Sequence, residues 1–180
     1  MTSSKPDVPP LPDPQRHITD NDEEAKSFFS KAIPTALPVI NKLGTAHQRL
    51  GYLVPPGPAT LTNQADLKMY AASLESLPPL VPPGGVAAVW YIDTPPGVES
   101  PMHRTVSLDI VIQCEGEVEL TLESGEKRIM KPGDLTIQRS TLHAWRNTSS
   151  EKWSRMVGIV VACQPVEAGG QVLGPEFPSH

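Results

Sequence analysis

The sequence predicts a single all-β domain, either a sandwich or a barrel. Short runs rich in Val, Ile and Leu follow one another from Val86 to Ala162, with Gly/Pro turns and no helical pattern between them. The chain carries 21 prolines among 180 residues, more than twice the average share, and proline disfavours long helices. A chain of this length is expected to form one domain with a substantial core.

The C-terminal half holds most of the predicted strands. We expect a barrel core over residues 86–165, with strands at 86–92, 106–113, 117–122, 127–130, 135–138, 144–147 and 153–162. Glu123 to Glu126 is predicted to be a hairpin turn, since Gly125 can adopt a positive φ. The Gly- and Pro-rich tail, residues 166–180, is expected to fold onto the barrel or onto a neighbouring subunit.

The N-terminal half is less regular. Residues 1–15 are predicted to be a flexible Pro-rich arm that is mobile or lies extended against the body. Residues 16–85 are expected to add strands and loops, with strands at 16–19 and 50–54 and a second strand or short helix at 26–30. Asn63 is a candidate cap for a helix. Its repeating apolar positions are Leu67, Tyr70, Ala71 and Leu74.

Charge and hydropathy exclude several classes of partner. The formal net charge is −5 and no block of Lys and Arg occurs, which argues against nucleic acid. No apolar run reaches the length of a membrane span. The first residues lack the apolar segment of a secretion signal, so a cytoplasmic location is expected.

Two short stretches carry the residues suited to chemistry. In a strand that starts at His103, every second side chain, including Asp109, faces the same side. By the same count His143 and Trp145 share one face of a second strand. Two imidazoles and a carboxylate in one barrel interior form a two-His-one-carboxylate metal site with open positions.

These stretches resemble the two motifs of the cupins. Gly97, His103, Thr105, Asp109 and Gly116 keep the spacing of the first motif, with Thr in place of its second His and Asp in place of its Glu. The second motif is similar from Gly133 through His143 to Asn147, with Gln138 and Ser140 where Pro and Gly are usual and one residue fewer before the histidine. The strings His-Arg-Thr-x-Ser-x-Asp and Gln-Arg-x-x-x-His-Ala-Trp-x-Asn are similar to those of small single-domain cupins, including fungal tailoring enzymes of secondary metabolism.

The resemblance implies a jelly-roll barrel (double-stranded β-helix) that binds a divalent metal ion, whether Zn, Fe, Mn or Ni. His103, Asp109 and His143 would be both metal ligands and catalytic residues. A polar or salt-bridged structural role is the alternative for each of them. The resemblance also implies a homodimer, and exposed sheet edges give a physical reason for pairing.

Five further residues are candidates for substrate binding, each with a structural alternative. Thr105 and Ser107 lie beside His103, and Gln113 shares the parity of Asp109. Trp145 is expected to wall the pocket over a flat substrate, or to pack in the core. Arg139 is expected to pair with a substrate carboxylate if its turn brings it inward.

Three functions remain open at this stage. The first is a metal-dependent lyase, a decarboxylase or dehydratase acting on a carbonyl- or carboxylate-bearing metabolite such as a polyketide-derived aromatic. The second is a non-haem Fe(II) dioxygenase, which the same ligand set would suit. The third is a non-catalytic cupin that binds a small molecule without metal, because Thr105 replaces a ligand.

Overall fold

The computed structural model describes residues 10–178, and it confirms the all-β prediction. Within that range the chain forms one α-helix, α1 (Ala65–Glu75), and thirteen strands. The first six strands are β1 (Thr19–Asn21), β2 (Ser27–Phe29), β3 (Asn41–Leu43), β4 (Ala46–Val54), β5 (Ala87–Thr94) and β6 (Ser107–Glu115). The rest are β7 (Val118–Leu122), β8 (Lys127–Met130), β9 (Leu135–Arg139), β10 (His143–Asn147), β11 (Ser154–Ala162), β12 (Val166–Ala168) and β13 (Gln171–Leu173).

Two antiparallel sheets build a jelly-roll barrel. The larger has the order β3-β4-β5-β11-β6-β9, and the smaller has the order β10-β7-β8. Two separate hairpins, β1–β2 and β12–β13, flank them. Of the two alternatives for residues 26–30, a strand or a short helix, the strand forms: β2 pairs with β1, which begins at Thr19, three residues later than expected.

Strand alternation explains which side chains form the interior. Along β6 the side chains of Ser107, Asp109 and Gln113 are buried, whereas those of Leu108 and Ile110 are exposed. The main apolar core lies at the other end of the larger sheet. It combines strand residues with Tyr70 from α1, and its buried members are Ile33, Leu50, Leu53, Tyr70, Ala88, Trp90 and Val160.

Glycines fix two of the turns that join the barrel strands. Gly125 has φ +85° in the β7–β8 hairpin, as predicted. Gly116 has φ +71°, and a Cβ there would lie 3.1 Å from the Cβ of Ser154. Glycine is thus required at position 116, the last position of the first motif, both by the backbone conformation and by close packing against the start of β11.

The N-terminal half shows several differences from expectation. The described part of the arm, residues 10–15, lies extended against the body: the Pro14 carbonyl accepts a hydrogen bond from the Leu37 amide. Residues 1–9 lie outside the described range. Helix α1 forms as predicted, but Asn63 does not cap it. Asn63 has φ 56° in a short 3-10 turn, and the helix begins after Gln64 without a side-chain cap.

Among residues 10–178, no helix has the length and apolarity needed to cross a membrane.

Candidate metal and substrate site

The two motif histidines lie opposite each other on paired backbone segments. His103 and His143 form an isolated antiparallel bridge in which each backbone N–H donates to the carbonyl of the other, at 2.9 and 3.0 Å. Their ring centroids are 4.4 Å apart, with an angle of 47° between the planes. His143 begins β10, which pairs with β7 on one side and with the segment 98–103 on the other. The two motifs thus meet at these two residues.

A backbone carbonyl fixes the tautomer of each ring. Nδ1 of His103 lies 2.8 Å from the Pro101 carbonyl oxygen, and Nδ1 of His143 lies 2.8 Å from that of Thr141. Since a carbonyl can only accept, each Nδ1 carries the proton and donates it. In the neutral form of each ring, Nε2 therefore keeps its lone pair. Histidines that bind metal ions have this same arrangement, with the second nitrogen anchored to a carbonyl or carboxylate.

Burial keeps His143 uncharged. It lowers the pKa of His143 to about 4, while the hydrogen bond to the Thr141 carbonyl acts in the opposite direction and the neighbouring His103 lowers it further. The ring is thus neutral near pH 7 and has no proton on Nε2 that a metal ion would need to displace.

Asp109 is a buried carboxylate without full hydrogen bonding. It lies on the inner face of β6 opposite Gln138 of β9, with 8% of its surface exposed. Its Oδ1 has no hydrogen-bond partner within residues 10–178. Burial raises the pKa of Asp109 to about 6, and hydrogen bonding from Ser107 acts to lower it. Such a group is costly to bury and is characteristic of functional sites.

The structure does not assemble the predicted three-ligand group. Within the described part of the chain, no cluster of three or more His, Cys, Asp or Glu side chains is placed to hold one metal ion. The strand predicted to run from His103 to Val111 is interrupted. His103 and Arg104 form isolated bridges, Thr105 belongs to no strand, Val106 lies in a bend, and β6 begins only at Ser107. Alternation puts Asp109 on the same face as Thr105 and Ser107, but it does not bring Asp109 next to His103, because six residues of extended strand span about 20 Å.

Hydroxyl groups stabilise the interruption. Ser107 Oγ donates to Thr105 Oγ1 at 2.7 Å, and Ser140 Oγ donates to the Thr105 carbonyl at 2.8 Å. Ser140 has φ 51°, a left-handed conformation that suits the glycine usual at this place in the second motif. Thr105 and Ser107 are buried beside the site as predicted, but their hydroxyls bond to one another.

The other three predicted substrate residues differ in position. Trp145 is half-buried, and its ring meets that of His143 edge-on, with 5.8 Å between centroids. Gln113 is buried, but its amide nitrogen donates to the carbonyls of Glu115 and Gly116 and so holds the β6–β7 turn. Arg139 is exposed on the outside of β9. The turn does not bring Arg139 inward, because Gln138 takes the inner position.

Asn147, the last residue of the second motif, is a structural clamp. It is 1% exposed, and its side-chain nitrogen donates to the carbonyls of Thr94, Pro95 and Lys152 at 2.8–3.1 Å. Its side-chain oxygen accepts from the Ser149 amide. These bonds tie the end of β10 to the ends of two neighbouring strands.

Sequence reasoning missed one residue at the site. Phe177, in the C-terminal tail, stacks on His103 with 6.2 Å between ring centroids and 16° between planes. Nothing in the local pattern of the tail indicates this contact, since it depends on a long-range bridge between Glu176 and Arg104.

Known proteins extend the motif resemblance over nearly the whole chain. The cupin-domain-containing oxidoreductase srdB of Neurospora crassa is 41% identical over 166 residues, which cover 92% of this chain and 82% of that protein. The chain belongs to the cupin superfamily. The phomopsin biosynthesis cluster protein D of Diaporthe leptostromiformis is 41% identical to this cupin over 172 residues, covering 96% of the chain and 90% of that protein.

No family model matches this cupin. Among solved structures, a cupin superfamily protein from Desulfitobacterium hafniense has a TM-score of 0.39 and 14% identity, covering 43% of this chain and 68% of that chain. This similarity is weak.

Proposed function

We propose that this cupin is a metal-dependent oxidoreductase that modifies a small secondary metabolite. Relatives of 35–41% identity are named cupin-domain-containing oxidoreductases, and others belong to the phomopsin and oryzines biosynthesis clusters. These names favour the oxidative hypothesis over the lyase hypothesis. The observation that carries the proposal is the histidine pair, with both Nδ1 atoms anchored and both Nε2 lone pairs free.

The donor set fits a divalent metal ion. His103 and His143 would hold it through Nε2, and the unpaired Oδ1 of Asp109 is the candidate third ligand. Asp109 is not grouped with the imidazoles, so its recruitment is a separate element of the proposal. When bound, the metal supplies Lewis acidity and, in the case of iron, one-electron chemistry with O₂.

The protein residues position the reactants and handle protons. The two carbonyls hold the imidazole rings in one orientation and prevent either Nδ1 from competing as a ligand. Threonine in place of a third histidine leaves room for substrate oxygen atoms beside His103. If Asp109 does not bind the metal, its pKa, raised to about 6 by burial, lets it exchange a proton near neutral pH as the alternative role for this carboxyl. Trp145 provides an aromatic wall next to His143.

The test is metabolite profiling with and without oxygen. The protein, reconstituted with Fe(II), is incubated with a fungal metabolite extract in air and under argon, and the mixtures are analysed by mass spectrometry. We expect a metabolite to be consumed in air only, with a product that has gained oxygen or lost hydrogen. A His103→Ala, His143→Ala variant should leave the extract unchanged.

Other outcomes separate the alternatives. Loss of carbon dioxide or water from a metabolite, equally in air and under argon, would contradict the oxidative proposal and favour the lyase. An extract unchanged under all conditions and with each candidate metal (Fe, Mn, Zn and Ni) would favour a non-catalytic binding role.

We also propose that the chain forms a homodimer through the outer face of β6 and β9. This face exposes five aliphatic side chains, Leu108, Ile110, Ile112, Leu135 and Ile137, at 36–56% each. They are adjacent cross-strand neighbours, and the half-buried Val157 and Ile159 of β11 continue the apolar surface. This largely apolar face, with Arg139 at its edge, can pair with the same face of a second copy.

Light scattering tests the dimer. The wild-type chain should have the mass of two copies, and Ile110→Lys should reduce it to one. Leu61→Lys, at an exposed leucine elsewhere, is the control and should remain dimeric. A monomeric wild-type protein would refute this proposal.

A further inference from the structure

The C-terminal tail forms a backbone bridge with Arg104, the residue that follows His103. The Arg104 amide donates to the Glu176 carbonyl at 2.8 Å, and the Glu176 amide donates back to the Arg104 carbonyl at 3.0 Å. The guanidinium of Arg104 also lies 3.3 Å from the Glu176 carboxylate. Arg104 is 9% exposed, so the tail makes this contact with a nearly buried partner. The contact sets the register of the residue that follows, Phe177.

Phe177 is placed against the site but is not buried in it. Its ring lies almost parallel to that of His103, at the centroid separation of an offset stack. Yet 59% of its surface remains exposed. One side of Phe177 therefore remains available to a ligand.

Aromatic rings lie against both histidines. The His103 ring contacts that of His143 at 4.4 Å and that of Phe177 at 6.2 Å, while Trp145 meets His143 edge-on. A flat, largely apolar molecule fits such surroundings better than a flexible polar one, because aromatic faces offer contact area and few hydrogen-bonding groups.

We propose that Phe177 is a specificity-determining residue whose ring, positioned by the Arg104–Glu176 contact, forms a wall of the substrate pocket and selects flat aromatic ligands. This inference deepens the proposed function and rests on it for the place of the site. It adds a ligand class and assigns the tail a role that neither motif carries.

The experiment uses 2-naphthol as a flat probe and cyclohexanol as a non-planar one, with the full chain in metal-free form. Binding is measured by calorimetry. The loss of one aromatic contact predicts that Phe177→Leu weakens 2-naphthol binding about 3- to 10-fold. Cyclohexanol binding should change little, and Phe177→Tyr should preserve both. Phe29→Leu, at an exposed phenylalanine outside the site, is the matched control.

Hydrogen exchange tests the positioning contact independently. The Arg104 amide should be protected in the full chain and should lose protection when residues 174–180 are deleted. Equal exchange in both forms would overturn the role given to the tail.

Two binding results would overturn the proposal for Phe177. Equal 2-naphthol binding by the wild type and Phe177→Leu would overturn the role of Phe177, and so would a wild-type protein that binds neither probe. Because the binding assay needs neither metal nor turnover, failure of the oxidoreductase proposal would leave its result intact, and the two failures can be told apart.

Discussion

Two buried aspartates on the larger sheet show opposite ways of holding a carboxylate. Asp93 is fully buried and completely paired: Arg49 and Arg155 approach its two oxygens at 2.6 Å. Asp109 is almost as buried, but its Oδ1 lacks a partner within the described residues. The first arrangement stabilises the structure, whereas the second leaves an unsatisfied carboxyl oxygen on the inner face of β6.

The Asp93 cluster also anchors the N-terminal arm. Arg49 contacts the Asp13 carboxylate at 2.7 Å, and Arg155 donates to the Pro12 carbonyl at 2.9 Å. The hydrogen bonds with Asp93 raise the pKa of Arg155, so this guanidinium stays charged. The cluster therefore explains why residues 10–15 lie against the sheet, while the Asp109 region is free to bind a ligand.

The largest change in stability is expected when the ion pairs of Asp93 are broken. Asp93→Asn removes the charge that compensates two buried guanidinium groups, and it should destabilise the protein by about 3 to 5 kcal/mol. Urea denaturation monitored by tryptophan fluorescence measures this. Glu24→Gln, which breaks an exposed ion pair with Lys26, is the control and should have little effect. Equal stability of Asp93→Asn and wild type would contradict the structural role.

Substitution of Asp109 is expected to stabilise the metal-free protein, in contrast to substitution of Asp93. The folded-state pKa of Asp109 is raised from 3.8 to about 6, so the carboxyl favours folding below pH 4, and this contribution is lost as the pH rises through 6. In metal-free protein, Asp109→Asn should therefore be more stable than wild type above pH 7, by at most about 3 kcal/mol. The same variant should lose turnover.

The pH series provides the check on that prediction. The difference in unfolding free energy between Asp109→Asn and wild type should grow between pH 4 and pH 7 and then stay constant. A difference that does not vary with pH would show that folding leaves the pKa of Asp109 unshifted, and would contradict this prediction.

The smallest effect is expected at Arg139. Its side chain is exposed on the outer face, opposite Leu108. Arg139→Ala should change the unfolding free energy by no more than about 0.5 kcal/mol and leave turnover unchanged. A large loss of turnover would instead restore the substrate role predicted from the sequence.

The barrel strands could be predicted because their alternation is local. The alternation along β6 follows from its strand character, although the polar residues rather than the aliphatic ones face the interior, and the turn at Gly125 was also predicted. The N-terminal half was predicted less well. The helix start depends on the left-handed conformations of Asn63 and Gln64, which the sequence does not indicate.

The site was predictable only in part, for a related reason. Motif spacing brought His103 and His143 together correctly. Strand alternation indicates the face of Asp109 but not its distance from the histidines, which depends on how the chain runs between residues 103 and 107, where Ser140 from another part of the chain bonds to the Thr105 carbonyl. The contact of Phe177 likewise depends on a partner more than seventy residues away. Such long-range contacts have no local signature.

The most direct test of the account is metal binding by the histidine pair. Wild-type protein, the His103→Ala, His143→Ala variant and the exposed-site control His17→Ala would be reconstituted anaerobically with Fe(II), desalted and analysed for metal content. The account predicts near-stoichiometric iron in wild type and in His17→Ala, and none in the double variant. Iron retained by the double variant, or absent from wild type with Fe(II) and with Mn, Zn and Ni alike, would contradict it.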